Sequence, residues 1–191
     1  MALDVEQLLR ETGALMHGHF RLSSGLHSGD YVQCAQLLEH PRNAKLVAAE
    51  LAEKIRPMAP TKIASPALGG VIIGYAVAQE LDIPFVFTER KDGQMTLRRG
   101  FRLEREEPIV IVEDVVTTGK STRETADAVR AAGGRVVGFA SILNRSGREN
   151  PYDVIPYVYL FAMTLETYGE TICPLCANDI PLYAPGSRYA R

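Results

Sequence analysis

Residues 109–122 read IVIVEDVVTTGKST, and this stretch decides the fold. Ile109 to Val112 is a continuous run of β-branched apolar residues, which is typical of a strand buried on both faces of its sheet. The residues from Ser121 to Ala132 then follow a helical pattern that ends at Gly133-Gly134. A buried strand that leads directly into a helix indicates a parallel α/β sheet, in which ligands bind beyond the carboxyl ends of the strands.

Strands and helices alternate on both sides of this stretch. The pattern predicts a helix that Asp4 caps and that runs to about Leu15, short strands and turns within residues 20–33, and a helix from Pro41 to about Arg56. It then predicts a strand at 63–65, a helix from Gly69 to about Leu81, strands at 85–87 and 136–143, and a late strand at 158–163. The predicted fold class is α/β, with a doubly wound, mainly parallel sheet in a single domain of residues 1–191.

The composition argues against several classes of protein. At 191 residues and a net charge of −2, the chain has the size of about one domain and no global positive charge with which to grip nucleic acid. No run approaches the ~18 apolar residues that cross a bilayer, and the acidic residues Asp4 and Glu6 are unlike a signal peptide. Three cysteines are a sparse set that suits a reducing compartment. We therefore expect a cytoplasmic protein with neither a nucleic-acid nor a membrane partner.

The residues after the buried strand suit a sugar phosphate. Gly119 allows an unusual backbone angle, and the free N–H groups at the start of the next helix suit a phosphate monoester. Glu113 and Asp114 would repel that phosphate, so they should face sugar hydroxyls or a magnesium-bound water. A ribose 5-phosphate fits both features at once, because its phosphate can meet the helix start while its hydroxyls meet the carboxylates. Hydroxyl donors can be added by Thr117, Thr118, Ser121 and Thr122.

Two other interpretations apply to the same residues. Gly119-Lys120-Ser121 matches the end of a Walker A loop, but that motif needs a glycine five positions before Gly119, where this chain has Asp114. The remaining alternative is an acidic strand end followed by a Ser/Thr helix cap that binds no ligand. That alternative fits Glu113-Asp114 alone or Thr117-Thr118-Gly119 alone better than it fits the ten residues 113–122 together.

Residues Glu113 to Ser121, with four apolar β-formers before them, resemble the 5-phosphoribosyl 1-diphosphate (PRPP) signature of the type I phosphoribosyltransferases. The resemblance implies that family's fold and a transfer of ribose 5-phosphate from PRPP to a nitrogen base. It also implies a Mg²⁺ cofactor that is held mainly by PRPP and water, with no direct protein ligand. The implied catalytic residues are Glu113, Asp114, Arg90 and Lys91. The implied PRPP-binding residues are Leu68, Gly69, Gly70, Arg90, Lys91, Arg98, Arg99, Glu113, Asp114, Val115, Val116, Thr117, Thr118, Gly119, Lys120 and Ser121.

Three further segments resemble the orotate phosphoribosyltransferases in particular. HFRLSSGLHS at 19–28, with Tyr31, resembles the family's N-terminal segment that folds over the base, and TERK at 88–91 resembles the start of its mobile basic loop. SILNR at 141–145 resembles the strand end at which an arginine holds the orotate carboxylate. The resemblance implies orotate binding by Thr117, Arg145 and Tyr31, under a small hood of about residues 1–35 and 150–191. The residue chemistry agrees, because an arginine offers a planar fork that matches a carboxylate.

The polar segment from Glu89 to Glu107 is too long for an ordinary connection. Its cations could meet the departing pyrophosphate, or they could form a solvated charged loop; they are Arg90, Lys91, Arg98 and Arg99. The resemblance implies a homodimer in which this loop is shared across subunits. The chain departs from the family pattern in lacking a lysine at Ser23, a lysine near Gly69 and a Lys-x-His pair in the loop. We expect Arg98 or Arg99 to replace the missing lysine of the mobile loop.

Cys173-Pro174-Leu175-Cys176 has the spacing of half a zinc ribbon. Structural zinc needs four ligands, and neither a second Cys-x-x-Cys pair nor a nearby histidine completes the set. We therefore expect two free thiols, with two half-sites that meet across a dimer as the alternative. No role is assigned to the histidines, which are His17, His19, His27 and His40.

Two other functions stay open at this point. One is a phosphoribosyltransferase for another base, and the other is a PRPP-sensing regulator that has lost catalysis. Regulators of that kind usually carry an added nucleic-acid-binding segment, whereas the N-terminal stretch here is short and not basic.

Overall fold

The computed structural model describes residues 3–22 and 24–185, so Ser23 lies outside the described part of the chain. The helices are α1 (Val5–Glu11), α2 (Cys34–Leu38), α3 (Pro41–Ile55), α4 (Gly69–Leu81), α5 (Lys120–Ala131) and α6 (Pro174–Ala177). The strands are β1 (Leu15–Arg21), β2 (His27–Val32), β3 (Lys62–Pro66), β4 (Phe85–Lys91), β5 (Gln94–Leu97), β6 (Pro108–Val116), β7 (Arg135–Asn144) and β8 (Tyr157–Ala162). Short 3-10 helices span Arg56–Met58 and Glu170–Ile172.

Six strands form the central sheet in the order β5-β4-β3-β6-β7-β8. Every neighbouring pair is parallel except the edge pair of β4 and β5. One apolar core, which includes Leu51 and Ile73, joins α3 and α4 to one face of the sheet, and a second core, which includes Val129 and Phe139, joins α5 to the other. The predicted doubly wound, mainly parallel fold is confirmed. None of the helices in the described ranges has the length and apolar character needed to cross a membrane.

The first helix is shorter than predicted. Asp4 does cap it, because its Oδ1 accepts a hydrogen bond from the N–H of Gln7 at 2.9 Å, but the helix ends at Glu11. Gly13 then takes a φ of 69°, a turn conformation that glycine adopts freely. Leu15, which was expected to end the helix, therefore begins β1.

The segment expected to be one long loop begins as a β-hairpin. β4 continues to Lys91, and β5 pairs with it antiparallel. Asp92 and Gly93 form the two-residue turn, with φ values of 52° and 82°. An Asp-Gly turn with both residues at positive φ matches the twist of a hairpin, so this dipeptide was a signal for it in the sequence. The interpretation as a single loop is therefore wrong for residues 89–97, and residues 98–107 form the connection to β6.

The hood consists of the β1–β2 hairpin and residues 164–183, which run against it. Because β8 pairs with β7 in the central sheet, the C-terminal part of the hood begins later than the expected position of about 150. The hood also corrects the interpretation of the cysteine pair. His19 and His27, to which the sequence assigned no role, lie beside Cys173 and Cys176.

Candidate active site

The carboxyl ends of three neighbouring strands form one edge of the sheet. β3 ends before the loop to α4, β6 ends before the loop to α5, and β7 ends immediately before Arg145. Because parallel strands all end at the same edge, the three connections lie side by side. The backbone N–H of Arg145 donates to the carbonyl of Val116 at 2.7 Å, and this bond joins the ends of β6 and β7.

Glu113 and Asp114 lie within β6, against the start of α4. A Cβ atom added to Gly69 would lie 2.7 Å from Asp114 Oδ1, and one added to Gly70 would lie 2.9 Å from Glu113 Oε1. Cβ atoms do not approach oxygen that closely, so α4 can begin beside the carboxylates only because both residues are glycines. The N–H of Val115 donates to Asp114 Oδ1 at 2.8 Å and fixes that carboxylate. The acid pair therefore faces the amino end of a helix.

Burial raises the pKa of Glu113 well above its usual range, and the adjacent Asp114 carboxylate adds to this shift. Burial also raises the pKa of Asp114, against the opposing effect of its hydrogen bonds with Glu113 and the N–H of Val115. Within residues 3–22 and 24–185, no lysine or arginine forms an ion pair with either carboxylate. A ligand that brings positive charge here would favour the ionised forms.

Residues 117–122 form a concave loop at the start of α5. Gly119 precedes the helix with a φ of 72°, a left-handed conformation that favours glycine. The N–H of Lys120 lies 3.3 Å from Thr118 Oγ1, whereas the side chains of Thr117 and Ser121 are exposed. Backbone N–H groups at a helix start, together with hydroxyl groups, suit a phosphate. The pocket is lined by Glu113, Val115, Val116, Thr117, Thr118, Gly119, Lys120, Ser121 and Thr122.

Tyr152 and Arg123 support this loop, and the sequence reasoning missed both. The Tyr152 hydroxyl forms a 2.7 Å hydrogen bond with Thr122 Oγ1. Arg123 donates to the carbonyls of Thr118 and Pro151 at 2.6 and 2.7 Å, and it lies 5.5 Å from the centre of the Tyr152 ring. No motif marks Tyr152, because it lies 30 residues beyond its partner Thr122.

Arg145 and Tyr31 lie close enough for their charges to affect each other, and Asp114 lies close enough to affect Tyr31. Burial raises the pKa of Tyr31, the positive charge of Arg145 opposes that rise, and the Asp114 carboxylate adds to it. Burial lowers the pKa of Arg145, and Tyr31 opposes that fall. No described carboxylate forms an ion pair with the Arg145 guanidinium. A partly buried cation without an internal partner is suited to an anionic ligand.

Three of the four cations predicted to meet the pyrophosphate are paired within the chain. The pairs are Arg90–Glu124, Arg98–Glu89 and Arg99–Glu89, the last of them bidentate at 2.7 and 2.8 Å. Lys91, at the end of β4, is exposed and has no ion-pair partner among the described residues. Exposed ion pairs contribute at most about 1 kcal/mol, so these arginines can exchange their partners for an anionic ligand.

Comparison with known proteins assigns the chain to a family. Residues 33–163 match the phosphoribosyl transferase domain family. Orotate phosphoribosyltransferase from Carboxydothermus hydrogenoformans is 45% identical over 97% of this chain and 98% of its own length. The chain belongs to the orotate phosphoribosyltransferase family. Another such enzyme, from Caldicellulosiruptor bescii, is 42% identical over 95% of this chain and 95% of its own length. The family membership predicted from the motifs is confirmed.

Solved structures with lower sequence identity share the fold of this chain. Orotate phosphoribosyltransferase from Mycobacterium tuberculosis H37Rv superposes with a TM-score of 0.68 at 22% identity, over 83% of this chain and 94% of its own. Adenine phosphoribosyltransferase from Leishmania tarentolae reaches 0.63 at 22% identity, over 84% of this chain and 88% of its own. Because enzymes named for different bases share the fold, the fold alone does not select the base.

Proposed function

We propose that this chain transfers ribose 5-phosphate from PRPP to orotate, giving orotidine 5′-phosphate and pyrophosphate in pyrimidine biosynthesis. The observation that carries the proposal is the 45% identity, over nearly the full length of both chains, to a relative named orotate phosphoribosyltransferase. In this reaction the bond between ribose C1 and the diphosphate oxygen breaks. A bond between C1 and a ring nitrogen of orotate forms, and that nitrogen loses its proton.

The donor side of the site uses residues 113–121. The loop amides and the hydroxyls of Thr117, Thr118 and Ser121 bind the 5′-phosphate, since they lie at the amino end of α5. Glu113 and Asp114 orient the ribose hydroxyls. Positive charge develops on the ribose ring as the diphosphate leaves, and a fixed pair of carboxylates stabilises that charge most strongly in a site with little water.

The base side uses Arg145, Tyr31 and Thr117. The planar fork of Arg145 binds the orotate carboxylate through two parallel hydrogen bonds. Tyr31, on β2 of the hood, contacts the base, and Thr117 reaches it from the adjacent loop. A phosphoribosyltransferase for a base without a carboxylate would leave Arg145 partly buried without an anion, which favours orotate over that alternative.

Mg²⁺ fits the donor side, because Glu113 and Asp114 are two adjacent carboxylates with no competing internal cation in the described residues. These two residues would hold water molecules of an ion bound to the PRPP diphosphate. The ion supplies positive charge to the departing pyrophosphate. Leu68, Gly69 and Gly70 contribute backbone groups beside the same diphosphate.

A direct assay tests the proposal. Purified protein is mixed with Mg²⁺, PRPP and orotate, and orotate absorbance and released pyrophosphate are followed together. We expect one pyrophosphate for each orotate consumed, and no turnover with adenine in place of orotate. Release of pyrophosphate with another base but not with orotate would identify a phosphoribosyltransferase for that base. Binding of PRPP without turnover of any base would instead identify the PRPP-sensing regulator.

The proposal includes a homodimer with a shared loop. The hairpin of β4 and β5 projects at an edge of the central sheet, where Arg90, Lys91, Arg98 and Arg99 are exposed. In the proposed dimer these cations reach the neighbouring subunit and bind the pyrophosphate there. Arg90 then leaves Glu124, and Arg98 and Arg99 leave Glu89.

Subunit mixing tests the shared loop. An Asp114→Asn protein and a Lys91→Ala protein are combined, and exchange is proved with a mass label. If the loop is shared, each hybrid dimer holds one site with both defects and one site with neither, so activity returns. Absence of recovery despite proven exchange would show that each chain uses its own loop.

A further inference from the structure

The hood brings four metal-ligating side chains to one point, far from the acid pair in the sequence. They are His19 from β1, His27 from the start of β2, Cys173, and Cys176 from α6. One ligand atom of each residue lies within 4.8 Å of the ligand atom of every other. His19, His27 and Cys173 are buried, and Cys176 is partly buried.

Four of the six distances between ligand atoms in this cluster lie within about 0.3 Å of those in a tetrahedral metal site. Zinc binds sulfur at about 2.3 Å and imidazole nitrogen at about 2.0–2.1 Å, which places neighbouring ligand atoms of a tetrahedron about 3.3–3.8 Å apart. Cys173 Sγ and Cys176 Sγ lie 3.5 and 3.7 Å from His19 Nε2. Cys176 Sγ lies 3.3 Å from His27 Nδ1, and the two ring nitrogens lie 3.0 Å apart.

The orientation of His19 supports the same conclusion. Its Nδ1 lies 2.7 Å from the carbonyl oxygen of Ile180, so Nδ1 carries the proton and Nε2 keeps a free lone pair that points into the cluster. A metal-binding histidine is oriented in this way when its other nitrogen donates to a backbone carbonyl. A hydrogen-bonded pair of histidines would not require two thiols to converge on the same point.

The C-terminal part of the hood has little else to hold it in place. Within the described residues 164–185, Cys173 is the only buried residue. Ile172 and Tyr183 are 76% and 60% exposed, so this segment has almost no apolar core of its own. Backbone hydrogen bonds join it to the hairpin around two residues: Tyr168 pairs with His27, and Tyr183 pairs with His19 and Arg21. Two side-chain bonds to backbone carbonyls, Ser28 to Glu166 and His19 to Ile180, add to them. Small units without a core commonly depend on a metal ion or a crosslink.

We propose that His19, His27, Cys173 and Cys176 bind one Zn²⁺ ion, which fastens the C-terminal segment to the β1–β2 hairpin. Four protein ligands leave no open position, so the ion is structural and takes no part in the transfer reaction. Two thiolates and two imidazoles in a tetrahedral arrangement select zinc over the oxygen-preferring Mg²⁺ that the donor site would use. The ion holds the hairpin that carries Tyr31, and thereby the wall of the base site.

Metal content is the first test. Untagged protein, purified without chelator, should contain about one zinc ion per chain by mass spectrometry of the metal. Cys176→Ser and His27→Ala should lose most of it. Cys34→Ala and His17→Ala are matched controls that should keep it, because Cys34 lies in α2 and His17 is an exposed residue of the same hairpin. Metal-free protein whose mass is two hydrogens lower would identify a Cys173–Cys176 disulfide and overturn the proposal.

Cobalt substitution keeps the proposal testable if those variants fail to fold. Wild-type protein is stripped of metal with a chelator and titrated with Co²⁺. We expect visible absorption typical of tetrahedral cobalt and a thiolate-to-cobalt charge-transfer band, both saturating at about one equivalent. Absence of the thiolate band would exclude the cysteines as ligands and overturn the proposal.

Proteolysis tests the structural role. A protease specific for glutamate should cut the stripped protein at Glu166 or Glu170 roughly tenfold faster than the zinc-loaded protein, because local opening exposes these bonds. Added zinc should restore protection. Equal cleavage rates would contradict the structural role of the ion. None of these measurements depends on transferase activity, so they stand whether or not orotate is the substrate.

Discussion

Residues 109–122 and the hood bring their functional side chains together by opposite means. In the first region a single strand, loop and helix start place the acid pair and the loop of residues 117–122, the proposed phosphate loop, within a contiguous stretch of the sheet edge. In the hood, side chains from the two ends of the chain meet, and His19 lies 154 residues from Cys173. The sheet edge is supported on both faces by apolar cores, whereas residues 164–185 bury little besides Cys173.

The two regions differ in whether their side chains need an additional link to hold them in position. At the sheet edge, backbone hydrogen bonds and the start of α4 fix the carboxylates, so no further link is required. In the hood the same positional accuracy must come from a few strong contacts. Predictions about the two regions can therefore be separated: charge changes at the sheet edge should alter chemistry, and changes in the hood should alter local stability.

The largest effect is expected from Asp114→Asn. The substitution keeps the shape of the side chain but removes one charge that favours positive character in the ribose ring. We expect kcat to fall by about 10²–10³-fold, the scale of losing one preorganised electrostatic partner. Asp127→Asn, an exposed acid on α5, is the matched control and should keep its rate. An unchanged kcat for Asp114→Asn would remove the acid pair from the mechanism.

Arg145→Ala tests the point where the sheet edge meets the hood. Losing the charged partner of the orotate carboxylate should weaken orotate binding by about 2–4 kcal/mol, measured as KM for orotate or by calorimetry. Donor affinity should barely change, because Arg145 follows β7 rather than the phosphate loop. Arg148→Ala, at an exposed position, serves as the control. An equal loss of PRPP affinity would mean that Arg145 lies on the donor side.

Glu113→Gln should make the ligand-free protein more stable while lowering its activity. The pKa of Glu113 is raised above its ordinary value of 4.5, so the folded state resists ionisation more than the unfolded state does. Native stability therefore falls as pH rises through 4.5 towards the folded pKa, and the penalty stays constant above it. Denaturant unfolding should show a gain for the variant of about 1–3 kcal/mol at pH 8, and almost none at pH 4.

Glu106→Gln is the control for that measurement, because the Glu106 side chain is 73% exposed. Its stability should stay close to that of the natural protein, since an exposed ion pair such as Glu106–Arg135 contributes at most about 1 kcal/mol. A gain for Glu113→Gln that is equally large at pH 4 would show that packing, rather than charge burial, limits the stability of the acid pair.

Gly119→Ala compared with Gly133→Ala should give the smallest effect. Both glycines have positive φ, so both substitutions cost about 1–2 kcal/mol of stability. A Cβ atom on Gly119 would also lie 3.1 Å from the Tyr152 ring, whereas one on Gly133 meets nothing within 4 Å. Only Gly119→Ala should weaken PRPP binding, by about tenfold at most. Equal PRPP affinities for both variants would show that Tyr152 does not shape the phosphate loop.

The fold was predictable wherever local pattern and tertiary packing agree. The helix over Gly69–Leu81 and the helix that begins at Pro41 were predicted closely. Their apolar residues repeat at helical spacing, and the residues that begin or end them are adjacent in the sequence. β5 was missed although its Asp-Gly turn was visible. The first helix was extended too far, because the pattern does not show that Leu15 finds a strand partner in Val32.

The amino-acid sequence by itself determined the α/β fold, the family and the candidate phosphate loop, because their signals lie in consecutive residues. The tertiary structure alone decided that Tyr152 and Arg123 support that loop and that two histidines complete the Cys173–Cys176 pair. Apart from the contact between Arg123 and Thr118, the partners that join these elements are 28 to 157 residues apart. Strand periodicity and helix caps act over a few residues, whereas contacts at such separations form only when the sheet and the hood have folded.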